Sequence, residues 1–183
     1  MKPDAYNIMG QPVTNAKLII TSLAFKNKEI IPAKYTCDGI NINPPLTIEG
    51  IPAKAKTLAL VMVDADITDE IFVHWVIWNI PPYSSFPENY IPRVEGTNSF
   101  SHTRYMGPCP PEGETRRYFF KIYAVSKILD LKGGSNVQML WQAMENHILS
   151  FGEIMCIYTK PEKAVSALYS EVEKVIDKEP SVI

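Results

Sequence analysis

The chain has no apolar run approaching the roughly 20 residues that a membrane-crossing helix needs; stretches such as LALVMV (58–63) are strand-length. No integral membrane association is therefore expected. Eighteen basic residues against twenty acidic ones give a net charge of −2, so there is no broad positive field for nucleic acid or an anionic membrane surface. Any anion site must be local. Cysteine is scarce: Cys37, Cys109 and Cys156 are odd in number and far apart. That argues against a disulfide scaffold and against a C-x-x-C zinc or redox motif. A reducing compartment fits this usage. The segment MKPDAYNIMGQPV has no charged region followed by an apolar run, so the expected location is the cytoplasm. Histidine occurs only at 74, 102 and 147, without H-E-x-x-H, and no metal or other cofactor is expected. There is no G-x-S-x-G elbow, and Cys109 has no base beside it in sequence. A nucleophilic enzyme is thus poorly supported, and hydrolase or transferase chemistry is the weakest of the functional readings.

What is present is strand grammar. LALVMVD (58–64), FVHWVIWNI (72–80) and RYFFKIYAV (117–125) are short, rich in β-branched and aromatic residues, and bounded by Pro, Gly, Asn or Asp, as strands are. KLIITS (17–22), LTIEG (46–50) and EIMCIYTK (153–160) repeat the pattern more weakly. Prolines cluster between these runs, where a missing N–H is tolerated. A mainly β domain with stiffened connections is expected.

One segment has helical periodicity. SNVQMLWQAMENHILSFGE places Val137, Leu140, Trp141, Met144, Ile148 and Phe151 at steps of three and four, which predicts an amphipathic helix. Ser135 and Gln138 offer a capping box, and Gly152 a C-terminal cap. A second stripe, Ala164, Val165, Leu168, Val172, Val175 and Ile176, predicts a tail helix beginning near Pro161. Its apolar face must pack on its own domain or on a second copy in a homodimer.

Alternate residues on a strand face opposite ways. In RRYFFKIYA, Arg116 shares its face with Tyr118, Phe120, Ile122 and Ala124, and Arg117 shares with Phe119, Lys121 and Tyr123. Arg116 is therefore expected to point along the buried face, where an anion or a carboxylate must answer its charge. Arg117 is expected to face solvent or a salt bridge. His74 is expected on the face of Phe72, Val76, Trp78 and Ile80, with Val73, Trp75, Ile77 and Asn79 opposite. Apolar residues on both faces suggest a central strand. A histidine there is either a hydrogen-bonded core residue or a ligand group. Asp64 and Asp66 close their strand either as turn formers or as the rim of a cleft. In P-C-P, Cys109 has a backbone N–H available to an anion.

Together YTCDGININPPL (35–46), LALVMVDAD (58–66), FVHWVIWNIPP (72–82) and GPCPPEGETRRYFFKIYAV (107–125) resemble, in order and spacing, the phosphatidylethanolamine-binding protein (PEBP) family, in its bacterial and archaeal branch. The resemblance covers roughly residues 17 to 160. It implies a β-sandwich of two antiparallel sheets with few helices and leaves room for a cis-proline; with the periodicities above, one or two peripheral helices and a C-terminal helix beyond the family core are expected. Its extent leaves an N-terminal extension (1–16), the domain (17–160) and, from the stripe beyond Pro161, a helical tail (161–183). It also implies a non-catalytic pocket for a small anionic ligand, phosphate-like or carboxylate-like. Carried over by motif, Asp64 and His74 line that pocket, the backbone at Cys109 and Pro110 forms its edge, and Tyr118 offers a hydroxyl.

Two departures stand out. Arg116 replaces the histidine of the family's usual H-R-Y, and Asp64-Ala65-Asp66-Ile67-Thr68 lacks both prolines of D-P-D-A-P. Arginine holds its charge and presents a planar fork, so Arg116 either grips an oxyanion or pairs with Asp64 and closes the site. A separate reading, also drawn from relatives, is a protein-level inhibitor of a protease or kinase. That partner would bind the long segment 81–107, rich in proline and aromatics.

Overall fold

The computed structural model describes residues 17–67, 70–83 and 85–162. The elements run β1 (Ile19–Thr21), β2 (Glu29–Ile30), a 3-10 turn (Ala33–Tyr35), β3 (Leu46–Glu49), β4 (Thr57–Asp64), β5 (Phe72–Ile80), β6 (Ser85–Phe86), β7 (Thr115–Val125), α1 (Val137–Met144) and β8 (Ile148–Thr159). They form a three-stranded sheet, β1-β3-β6, and a five-stranded sheet, β2-β8-β7-β4-β5. The small sheet is antiparallel, but the large one is mixed, because the short edge strand β2 runs parallel to β8. The peptide bonds described are all trans. The extension 1–16 and the tail helix predicted from Pro161 lie outside the described residues, apart from Pro161 and Glu162.

β4 shows why the domain has two cores. Its Leu58, Leu60 and Met62 pack between the sheets with Ile20, Ile48, Phe120 and Ile122. Its Ala59, Val61 and Val63 face the other way, under Leu140, Met144 and Leu129. Period-2 alternation thus places each side chain from Leu58 to Val63 in one core or the other, and all eight residues of β4 are buried.

The predicted helix is shorter than its stripe. α1 ends at Met144, and Asn146 takes a left-handed conformation, which Asn tolerates better than most residues. From Ile148 onward the chain pairs with β7 as β8, so the ladder overrides the helical period. Asn136 is the N-cap, accepting from Met139 N at 3.0 Å, while Ser135 bonds back to Lys132 O instead. Gly152 caps nothing. It lies in β8, and a Cβ there would stand 2.3 Å from Leu18 O.

β5 also departs from expectation, since it is an edge strand of the large sheet. Its outer edge is covered by the following chain: Gly96 N bonds to Val76 O, Ser99 N to Val73 O and Met106 N to His74 O. Simple alternation fails twice along it. The pairs Met62–Trp75 and Val63–Val73 leave His74 as an extra residue, and Leu58–Ile80 and Leu60–Ile77 leave a second one. At the latter Asn79 adopts φ 54° and bonds Leu129 through both amide atoms at 2.8 Å. These bulges send Trp75, Ile77 and Ile80 into the inter-sheet core and Val73, Val76 and Trp78 into the outer one.

Candidate functional site

The end of β4 meets the start of β7. Antiparallel register sets Asp64 opposite Tyr118, so both share a face with Arg116, two residues earlier. The pairing alternative is the one seen. Arg116 Nη1 donates to Asp64 Oδ2 at 3.3 Å, while Nε and Nη2 donate to Glu114 Oε2 at 3.2 and 3.0 Å. Asp64 is buried and Glu114 is exposed. Asp64 Oδ1 also accepts from Asp66 N at 2.9 Å, so it closes the turn and faces the site at once. Arg117 is turned away, as its parity requires. Its backbone N–H donates to Asp66 Oδ2 at 2.7 Å and its Nε to Asp66 Oδ1 at 3.0 Å. That guanidinium holds the Asp66 carboxyl below its ordinary range.

His74 lies on this face at the first bulge of β5. Its ring lies 5.2 Å from the Tyr118 ring, 5.3 Å from Phe100 and 5.5 Å from Phe72. His74 Nδ1 is 2.7 Å from Met106 O. A carbonyl only accepts, so Nδ1 carries a proton, and in the neutral ring Nε2 is then an acceptor. Burial pushes the His74 pKa below its ordinary value. Stability contributed by a neutral buried histidine is complete above the unfolded-state pKa of about 6.5 and declines as pH falls through the depressed folded value. Urea midpoints should fall between pH 7.5 and 5.5 in the wild type and fall less in His74→Gln. Parallel profiles would remove His74 as the cause.

Tyr118 is fully buried and its hydroxyl has no hydrogen-bond partner. Burial, aided by Asp64, raises its pKa, while the Cys109 backbone N–H beside the oxygen works the other way without completing a hydrogen bond. Cys109 stands between buried Pro108 and Pro110, in a loop pinned from two sides. Gly107 N donates to Asn41 Oδ1 at 2.7 Å, Cys37 N to Pro108 O at 3.1 Å, and Tyr105 Oη to Tyr35 O at 2.8 Å.

Cys37 and Cys109 form a disulfide, with Cα atoms 5.4 Å apart. This corrects the expectation of unpaired thiols. Their 72-residue separation carries no local signal, and only the folded loops bring them together. The cysteine-based ground for a reducing compartment goes with it. Glu114 was the other residue missed. Its place two positions before Arg116, on the same strand parity, is a signal that could have found it. The segment 81–107 is also less open than its composition suggests. Phe86 and Tyr105 are buried, and the Asn98 amide donates to His74 O and Arg104 O at 3.2 and 2.9 Å.

Two packed sheets with a buried phenol, a neutral imidazole and a paired arginine at the strand ends define a β-sandwich of distinctive site architecture. The family model described as phosphatidylethanolamine-binding protein matches residues 21–159. A UPF0098 protein of Pyrococcus abyssi is 42% identical over 155 residues, covering 79% of this chain and 86% of the relative. A crystal structure described as a phosphatidylethanolamine-binding protein homologue, from Chlamydia trachomatis, superposes with a TM-score of 0.75 at 34% identity, covering 79% of this chain and 99% of that one. The YbcL protein of E. coli, described as a member of the mammalian PEBP family, gives 0.72 at 26% identity with the same coverage. The chain belongs to the phosphatidylethanolamine-binding protein family. Among the described residues no helix is long and apolar enough to cross a membrane.

Proposed function

We propose that this protein is a non-catalytic binder of a small anionic group, phosphate-like or carboxylate-like, held at Tyr118, Arg116 and the Cys109–Pro110 edge. The observation that carries this reading is the Tyr118 hydroxyl, buried without a partner. Leaving such a group unsatisfied costs about 1 kcal/mol or more, a cost that a bound acceptor offsets. Arg116 supplies positive charge at the mouth, with its side chain 22% exposed. Its Nε and Nη2 edge is held by Glu114, a carboxylate already mimicking an anionic ligand. An incoming oxyanion exchanges with Glu114 and leaves buried Asp64 in place, orienting the guanidinium. His74 walls the site as a neutral ring and acceptor.

The test is calorimetry and thermal unfolding with inorganic phosphate, phosphoethanolamine and acetate. Wild-type protein should be protected at millimolar ligand. Tyr118→Phe should be about 1 kcal/mol more stable without ligand and bind roughly tenfold more weakly, whereas Glu114→Gln should bind more tightly. No protection by any of the three, with the fold intact, would sink the reading. The inhibitor reading retains exposed Tyr83 and Ile91 in segment 81–107, two scattered side chains of a kind ordinary surfaces carry. Partner capture that survives Arg116→Ala would favour it.

A further inference from the structure

The Cys37–Cys109 disulfide has a companion that the anion site does not use. Lys160, just after β8, places Nζ 3.7 Å from Cys37 Sγ and 3.6 Å from Cys109 Sγ. Asp38 Oδ1 shares that ammonium at 3.6 Å, and Asp38 Oδ2 accepts from the Tyr158 hydroxyl at 2.6 Å. Cys109 is exposed and Cys37 half-buried, so a small thiol has access to one sulfur in particular. The third cysteine, Cys156, is buried in the inter-sheet core, where burial raises its thiol pKa and keeps it unreactive.

We infer that Cys37–Cys109 is a thiol–disulfide exchange site for a low-molecular-weight thiol, with Lys160 as the cation that stabilises its thiolates. A thiolate attacks Cys109 Sγ; a new S–S bond forms there, the Cys37–Cys109 bond breaks, and Cys37 leaves as a thiolate facing the Lys160 ammonium. A second small thiolate attacks the small-molecule sulfur of the mixed disulfide and releases the Cys109 thiolate. Two electrons pass to the protein, the two small thiols leave as their own disulfide, and the protein thiolates take protons from water as pH dictates. A leaving thiolate held beside a cation leaves faster, while the uncharged disulfide gains less from the same lysine. Lys160 therefore favours the open form over the closed one, and Asp38 moderates it.

The open form keeps its loops in place. Cys37 N to Pro108 O, Gly107 N to Asn41 Oδ1 and Tyr105 Oη to Tyr35 O tie the same segments without passing through either sulfur, so they are expected to hold when the sulfurs part. Reduction releases one cross-link in the loop whose Cys109 N–H lies beside Tyr118, so the redox state is written into the wall of the candidate site. This inference does not depend on which ligand that site takes.

The full chain is equilibrated in native buffer with graded glutathione and glutathione disulfide, quenched with iodoacetamide and weighed by mass spectrometry. Labelling should interconvert between no added groups and two, on Cys37 and Cys109, with Cys156 unlabelled and far-UV circular dichroism unchanged. Lys160→Gln should open roughly fivefold more slowly and need more glutathione at its midpoint, in line with the leaving-group effect, and Lys160→Arg should restore both. A disulfide that opens only in denaturant, two labelled thiols at every ratio, or Lys160→Gln behaving as wild type would each overturn the inference. None of these results bears on whether phosphate or acetate binds at Tyr118.

Discussion

Gly107→Ala is expected to lower the unfolding free energy by about 3 kcal/mol, at the upper end of the usual cost of overpacking, and to abolish ligand protection. A Cβ at this position would stand 2.2 Å from Tyr35 O, 2.8 Å from Asn41 Oδ1 and 2.9 Å from Thr36 Cα. Two of the three are backbone atoms, which cannot swing aside as a side-chain tip can. The loop carrying Cys109 and Pro110 would have to lift from segment 35–41 and break the Gly107–Asn41 bond. Urea denaturation gives the stability change, and a thermal shift with phosphate reports the site. A variant within 0.5 kcal/mol of wild type, a tolerance usual for surface changes, would show that the two segments are not in tight contact.

Asp64→Ala should cost about 2 kcal/mol. Stripping one partner from a fully buried ion pair costs roughly 3 to 5 kcal/mol. The figure is lowered here because Arg116 is partly exposed and keeps Glu114. The Asp66 backbone N–H loses its acceptor at the same time. Adding Arg116→Met should recover part of the loss, since the arginine no longer needs a counter-charge. A double-mutant cycle would therefore show a coupling energy of about 1 kcal/mol. Strict additivity would mean that Asp64 acts through the turn alone.

Much of the site could be read before any fold was known, because β7 is regular. From Arg116 to Ala124 the alternation holds, so Arg116 and Tyr118 lie inward and Arg117 meets solvent and Asp66. β5 was harder. Its two extra residues relative to β4 set Val73 on the face opposite Trp75 and Ile77 and bring Ile80 onto theirs, and no property of FVHWVIWNI marks where a ladder will slip. The helix was half legible for a related reason. Periodicity in 135–152 is local, but the pairing that captures Ile148–Gly152 comes from β7.

By itself the sequence determined the mainly β composition, the strands and their approximate limits, the family motifs, and which arginine of the pair turns inward. Each depends on side-chain period or local backbone preference, and both are properties of neighbouring residues. Tertiary structure alone decided that Arg116 is held by Asp64 and Glu114, that His74 is a bulged residue with its proton on Nδ1, and that Tyr118 is left without a partner. It also decided that Cys37 and Cys109 bond across 72 residues beneath Lys160. These are contacts between distant segments, made or missed by an ångström or two of packing, and no local rule carries that information.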